Sequence, residues 1–305
     1  MASLAELKQQ FRQRDRVIRA LTVDGTFRGV VVKNTVVAQT AQSRHGLEPV
    51  GARLLAQALA SASLLASFLK GEERIIVEAE GDGPVAAVAA EALQVGEARG
   101  YVRYAAEQSD GLPLAAHPYP LGHHGLFRVV RILYNHVEPV VSVVELQQGD
   151  IAANLGYYFE QSEQIPTAVR FDVAFTPDGR ISASAGLLVQ TMPGAAAQDI
   201  LTVERHLQEL PPLAELLAAG VAPEEILSRV LPATFMVLNN TPIDFFCRCS
   251  LERFKELLAT LTYEEVSEMQ RLGQDELVCQ YCGERYQLRE SDFAEVLQRI
   301  RARMN

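Results

Sequence analysis

No cysteine occurs in the first 246 residues of this 305-residue chain, and all four lie in the last sixty. That distribution argues against incidental core thiols. A secretory signal is also absent: Met1 to Arg16 is polar and charged, so no leader is expected. No apolar run approaches the eighteen or more residues of a membrane span. The expectation is a cytoplasmic protein without membrane attachment, in a compartment where thiols stay reduced. Basic segments are missing too. Residues 1–193 carry 20 acids and 17 bases, residues 194–244 carry 7 and 2, and residues 245–305 carry 11 and 9. A net charge of −10 without a basic stretch argues against nucleic acid as the main partner, because phosphate neutralisation supplies most of that affinity. Enzyme signatures are lacking as well: there is no G-x-S-x-G, no Walker motif and no His-x-Glu of the zinc deaminases. His123-His124 sits among Pro120, Gly122 and Gly125 and reads as a loop pair, and Gly81-Asp-Gly83 reads as a turn rather than a phosphate cradle. No catalytic residue and no enzymatic activity are expected.

What is present is Cys247-Arg-Cys249 and, 29 residues later, Cys279-Gln-Tyr-Cys282. Two close pairs separated by a returning stretch of chain are what a tetrahedral zinc site needs. One zinc ion on Cys247, Cys249, Cys279 and Cys282 is the expected cofactor. Four thiolates leave no open ligand position, which excludes a catalytic metal. A module of this size rarely stabilises itself by core burial alone, and a structural zinc supplies roughly 10–16 kcal/mol of apparent folding free energy. If the thiols are oxidised instead, the nearest disulfides are Cys247–Cys249 and Cys279–Cys282. Each closes only a tiny loop, so one long-range clamp would be exchanged for two local ones. Spacing alone leaves three readings open: a redox switch, an inert zinc-stapled binding scaffold and a zinc-ribbon nucleic-acid binder.

The periodicities predict an α+β protein: a mixed-sheet core domain with packed helices over 1–193, an acidic amphipathic helical linker over 194–232, and a small zinc domain over 233–305. A capping box at Ser3 and Glu6 opens a short helix ending near Arg16. β-Branched runs on either side of Asp24-Gly25 predict a hairpin, and Gly81-Asp-Gly83 another. Pro49 to Leu69, apolar nearly all round, reads as a buried helix. Further strands are predicted over 98–104, 129–133, 140–146, 168–175 and 181–188. Leucines from Leu201 to Leu231 recur at helical intervals, so these helices must lay an apolar stripe on something. In the last segment Ser250 is a helix N-cap, Thr262 and Glu265 form a capping box, and Phe293, Val296, Leu297 and Ile300 share a helix face.

Phe246-Cys-Arg-Cys-Ser250 with Glu252-Arg253, and Cys279-Gln-Tyr-Cys-Gly283 with Tyr286, closely resemble the zinc centre of the redox-regulated 33-kilodalton heat-shock chaperone family of bacteria. Tyr158-Phe-Glu-Gln-Ser-Glu-Gln-Ile-Pro-Thr167, Gly186-Leu-Leu-Val-Gln-Thr-Met-Pro-Gly194 and Arg99-Gly-Tyr-Val102 resemble its core-domain signatures, in the same order. The second usually opens with two glycines, and here Ala185 precedes Gly186. The resemblance spans essentially the whole chain. It implies a holdase, silent when reduced and zinc-bound. Oxidation would form Cys247–Cys249 and Cys279–Cys282, release zinc, unfold the zinc domain and linker, and expose surface for unfolding client proteins. It further implies a homodimer when activated and transfer of clients to an Hsp70-type system.

Overall fold

The computed structural model describes residues 14–106, 117–147 and 150–304. The helix expected from Ser3 lies outside the described residues, and Arg16, its expected end, already opens a strand. The chain divides into two compact units, Met1–Phe246 and Cys247–Asn305.

The first unit is α+β. Its first sheet holds β1 (Arg16–Thr22), β2 (Phe27–Lys33), β8 (Thr167–Phe175), β9 (Ile181–Thr191) and β10 (Phe235–Pro242), ordered β10-β1-β2-β9-β8 and antiparallel throughout. The second holds β3 (Arg74–Gly81), β4 (Val85–Leu93), β5 (Glu97–Tyr104), β6 (Gly125–Ile132), β7 (Val140–Glu145) and β11 (Asp244–Phe245), ordered β11-β5-β4-β3-β6-β7. Both glycine-marked hairpins form: Gly25 takes a positive φ of 75° between β1 and β2, and β3 pairs with β4 across residues 82–84. His123 and His124 lie in the loop before β6, where their backbone N–H groups donate to Asp82 at 2.8 and 3.0 Å.

Helix α2 (Pro49–Ala66) packs against strands of both sheets. Fifteen of its 18 residues are buried, and it anchors the main hydrophobic core. Contrary to the expectation that no apolar run approaches membrane-spanning length, α2 is long and apolar enough by composition, but 83% of it is buried inside the protein. Core burial accounts for its composition.

Helix α1 (Thr35–His45) is not legible in its sequence, which begins Thr-Val-Val and is poor in strong helix formers. Asn34 provides no side-chain cap. The cap comes from elsewhere: Asp15 Oδ2 accepts the Val37 N–H at 2.9 Å, while Asp15 Oδ1 has no partner. Burial pushes the Asp15 carboxyl from 3.8 up to about 6, partly offset by that N–H and by Lys33. Between those values the folded state holds more proton than the unfolded chain. The Asp15 contribution is therefore greatest near pH 4 and is lost as pH rises through 6, by about 3 kcal/mol at most. In Asp15→Asn, which keeps the acceptor but cannot titrate, urea midpoints of this unit should fall less between pH 4.5 and 7 than in the parent. An unchanged slope would refute the assignment.

Helices α4 (Ala197–Glu209), α5 (Leu213–Ala218) and α6 (Pro223–Val230) carry the expected leucine stripe, except that Leu201 at its start is exposed. The stripe packs on the first sheet's other face, where Val203, Leu213, Leu216, Ile226, Leu227 and Val230 cover Ile18, Phe27, Val31, Ala185 and Leu187. Polar contacts hold it there: Leu213 N donates to Asp172 at 2.6 Å, Arg170 donates to the Leu210 carbonyl at 2.8 Å, and Arg16 pairs with Glu224 at 3.0 Å. Residues 235–245, expected to begin the zinc domain, are instead strands of the first unit: β10 pairs with β1 along its length and β11 pairs with β5. An extended segment with exposed Met236, Val237 and Leu238 carries no alternating pattern, so its pairing is invisible locally.

The second unit holds α7 (Leu251–Leu258), α8 (Tyr263–Arg271), a hairpin of β12 (Glu276–Val278) and β13 (Arg285–Gln287), and α9 (Glu290–Met304). The Ser250 cap and the Thr262–Glu265 capping box both form. Its core consists of Leu258, Val266, Leu288, Phe293, Val296 and Ile300.

Candidate metal centre

Each cysteine pair is placed by a different local device. Cys247 and Cys249 lie on extended chain just before α7, which Ser250 caps by accepting the Arg253 N–H at 3.3 Å. Cys279 and Cys282 occupy the turn of the β12–β13 hairpin. There Cys279 N donates to the Glu284 carbonyl and Gly283 N to the Cys279 carbonyl, both at 2.8 Å. Gly283 has φ 71°, a left-handed conformation that a side chain would strain, which explains the glycine after the second cysteine of this motif.

The four Sγ atoms, all free thiols, lie within 4.8 Å of one another. Cys247 and Cys279 sulfurs are 3.7 Å apart, and those of Cys249 and Cys282 are 3.4 Å apart. A tetrahedral site with metal–sulfur bonds of about 2.3 Å has sulfur–sulfur edges of about 3.8 Å. The donor set therefore fits a thiophilic tetrahedral cation, and zinc is compatible with it. Structure and sequence bring together the same four residues.

Burial pushes the Cys279 and Cys282 thiols up; Cys247 adds to this at both, while Cys282 opposes it at Cys279. A coordinated metal reverses this logic by holding thiolates deprotonated. Tyr286, on β13, was quoted in the sequence motif without a role. Its Oη is 3.2 Å from Cys249 Sγ and 3.2 Å from the Cys249 carbonyl oxygen. The phenol has one hydrogen, so it serves one acceptor at a time; with a thiolate it becomes a donor to sulfur. The Cys249 contact pushes its own ionisation up, with burial adding to it.

Two basic residues of this unit, Lys255 and Arg285, are engaged by acids. Lys255 pairs with Glu295 at 2.6 Å and with Glu252 at 3.1 Å, and Arg285 pairs with Glu276 at 2.8 Å. Arg299 bridges Glu252 and Glu295.

Comparison with known proteins agrees with this geometry. The family model described as Hsp33 protein matches residues 15–289. The "33 kDa chaperonin" of Desulforamulus reducens is 34% identical over 94% of this chain and 98% of its own. That of Bacillus subtilis is 32% identical over 89% and 94%. The crystal structure of a 33 kDa chaperonin from Thermotoga maritima superimposes with a TM-score of 0.83 at 30% identity, covering 93% of this chain and 98% of that one. A chain that matches chaperonins over nearly the whole of both lengths, and shares their fold, is itself placed among them: it belongs to the Hsp33 family of chaperones.

Proposed function

We propose that this protein is a redox-regulated holdase of the cytoplasm, activated under oxidative stress. Four thiols at tetrahedral spacing, in a unit whose core among the described residues is six buried apolar side chains, carry the proposal. Cys247, Cys249, Cys279 and Cys282 hold one zinc ion in the reduced state. Zinc, when bound, clamps the start of the second unit to its hairpin and keeps the thiols ionised.

Oxidation joins Cys247 to Cys249 and Cys279 to Cys282. Each pair of thiolates gives up two electrons to hypochlorous acid, which is reduced to chloride and hydroxide as the sulfur–sulfur bond forms. Neither local disulfide spans the 29 residues between the pairs, so the long-range clamp is gone. The zinc domain opens, and the linker over 194–232 follows. Undocking uncovers both the leucine stripe and the sheet face of Ile18, Phe27, Val31 and Leu187. Apolar surface of that kind, rimmed by charge, suits promiscuous capture of unfolding clients. The acidic linker keeps the opened state soluble; Glu224 and Glu225, paired with Arg16 and Arg229 when docked, help to provide that charge. The activated form is a homodimer and passes clients to an Hsp70-type system. Its work is binding, without catalysis.

The test is light scattering from a heat-unfolded client, comparing reduced zinc-loaded protein with hypochlorite-treated protein while released zinc is read in parallel. Suppression by the oxidised sample alone, with zinc released, is the expected result. If neither state suppresses aggregation, the chain is an inert zinc-stapled scaffold.

A further inference from the structure

Two stretches that carry the family likeness take no part in the metal centre: Tyr158–Thr167 and Gly186–Gly194. Both reach a cleft of about 440 Å³ in the first unit, where α2 ends between the two sheets. Its apolar wall includes Leu65, Phe68, Phe159 and Ile165, and Arg28 of β2 lines it as well.

The chain is bent to build this wall. Helix α3 (Ile151–Tyr158) runs into a π-helical turn, Phe159–Glu163, and Gln164 follows at φ 55°. Gln164 is the only non-glycine residue at positive φ among the described residues. π-Turns and such backbone outliers recur at functional sites.

Arg28 is half-buried and its partners are neutral. Its Nε donates to Gln190 Oε1 at 2.9 Å, and its guanidinium lies 4.2 Å from the Phe68 ring centroid. Gln190 is fully buried, and its Nε2 donates in turn to Thr167 Oγ1 at 3.1 Å, so the two family stretches jointly fix the guanidinium. Among the described residues Arg28 has no carboxylate partner. Two carboxylates do line the cleft, but both are engaged. Glu73 accepts the N–H groups of Lys70 and Tyr134 at 2.9 and 3.2 Å, and Glu163 is held by Arg131 and by the Tyr158 hydroxyl at 2.6 Å. Nearby Arg19 donates to the Ser67 carbonyl at 2.7 Å and so answers the end of α2. Burial, reinforced by Arg19, lowers the Arg28 pKa, which is the expected strain on an uncompensated cation.

We propose that this cleft binds a small aliphatic carboxylate, with its charge on the Arg28 guanidinium and its chain against Leu65, Phe68, Phe159 and Ile165. The planar guanidinium matches a carboxylate in two-pronged geometry. A bare phosphate would leave the apolar wall in water, and an alcohol would leave the guanidinium uncompensated. The site is independent of the proposed redox switch, because it shares no residue with the thiols.

The experiment titrates the reduced, zinc-loaded full chain calorimetrically with octanoate, octanol and inorganic phosphate, beside Arg28→Gln and Arg28→Lys. Octanoate should bind at one saturable site, at least tenfold more tightly than octanol or phosphate. Arg28→Gln should weaken it tenfold or more, and Arg28→Lys by less. No saturable octanoate binding, equal binding of octanol, equal binding of phosphate, or full affinity in Arg28→Gln would each overturn the proposal. Should Arg28→Gln fail to fold, the three ligands on the unaltered chain decide it.

Discussion

In Cys279→Ser, residues from 247 onward lose their cooperative structure without any oxidant, while the first unit keeps its fold. The second unit has few resources besides its metal centre. Six buried side chains form its core, and its ion pairs are largely exposed, where such pairs contribute little. A structural zinc supplies apparent stabilisation on the order of 10–16 kcal/mol in small modules. Serine offers a poor ligand for a thiophilic cation, so most of that term should go. Two readouts check the result. Bound zinc per chain should fall well below one, and hydrogen-exchange protection should vanish at the backbone amides of position 279 and of Gly283, which close the hairpin turn in the parent. Amides of β2 and β9 should stay protected, because those strands lie in the first unit and pair there. A tight, full zinc complement in this variant would remove Cys279 from the ligand set.

The second large effect is expected at the linker. Leu227 is fully buried and is seated over Gly29 of β2. Gly29 of β2 leaves the space, since a Cβ there would come within 2.7 Å of Leu227 Cδ2 and 3.3 Å of Leu231 Cδ1. Removing a buried leucine side chain costs about 2–5 kcal/mol, and a buried carboxylate adds a desolvation penalty. Leu227→Asp should therefore undock α6 in the reduced protein. Hydrophobic-dye binding should rise severalfold and client aggregation should be suppressed without oxidant, with zinc still bound. Gly29→Val attacks the same contact from the sheet side and should do the same more weakly, by about 1–3 kcal/mol of overpacking. If both variants keep one zinc and neither binds dye nor clients, linker release is not what exposes the client surface.

The chemistry of the centre was legible because it rests on residue type and spacing. Cys247, Cys249, Cys279 and Cys282 stand out by being the only thiols in the chain, and the structure brings them together. Local signals served equally well. Asp24-Gly25, the Ser250 cap, the Thr262–Glu265 capping box and the apolar stretch of α2 each specify structure within a few residues. Tyr286 carried a weaker signal. A tyrosine four residues beyond Cys282 shows its use only when β13 turns it back toward Cys249.

Where a partner is remote, the sequence is silent. α1 is capped by Asp15, which precedes the helix by a whole hairpin. β10 and β11 pair with β1 and β5, strands that lie more than a hundred residues away, so the first unit ends at Phe246 and not near residue 232. Arg28 reads as an ordinary strand residue until Gln190 and Phe68 arrive beside it from two other elements. Residue types, spacings and local turn chemistry thus determined the four-cysteine set, the α+β class and the amphipathic helices after residue 194 on their own. Only the tertiary structure decided which face these helices cover, where the units divide and that Gln190 and Phe68 are the neighbours of Arg28, because strand pairing, remote capping and burial depend on contacts that no local stretch of chain contains.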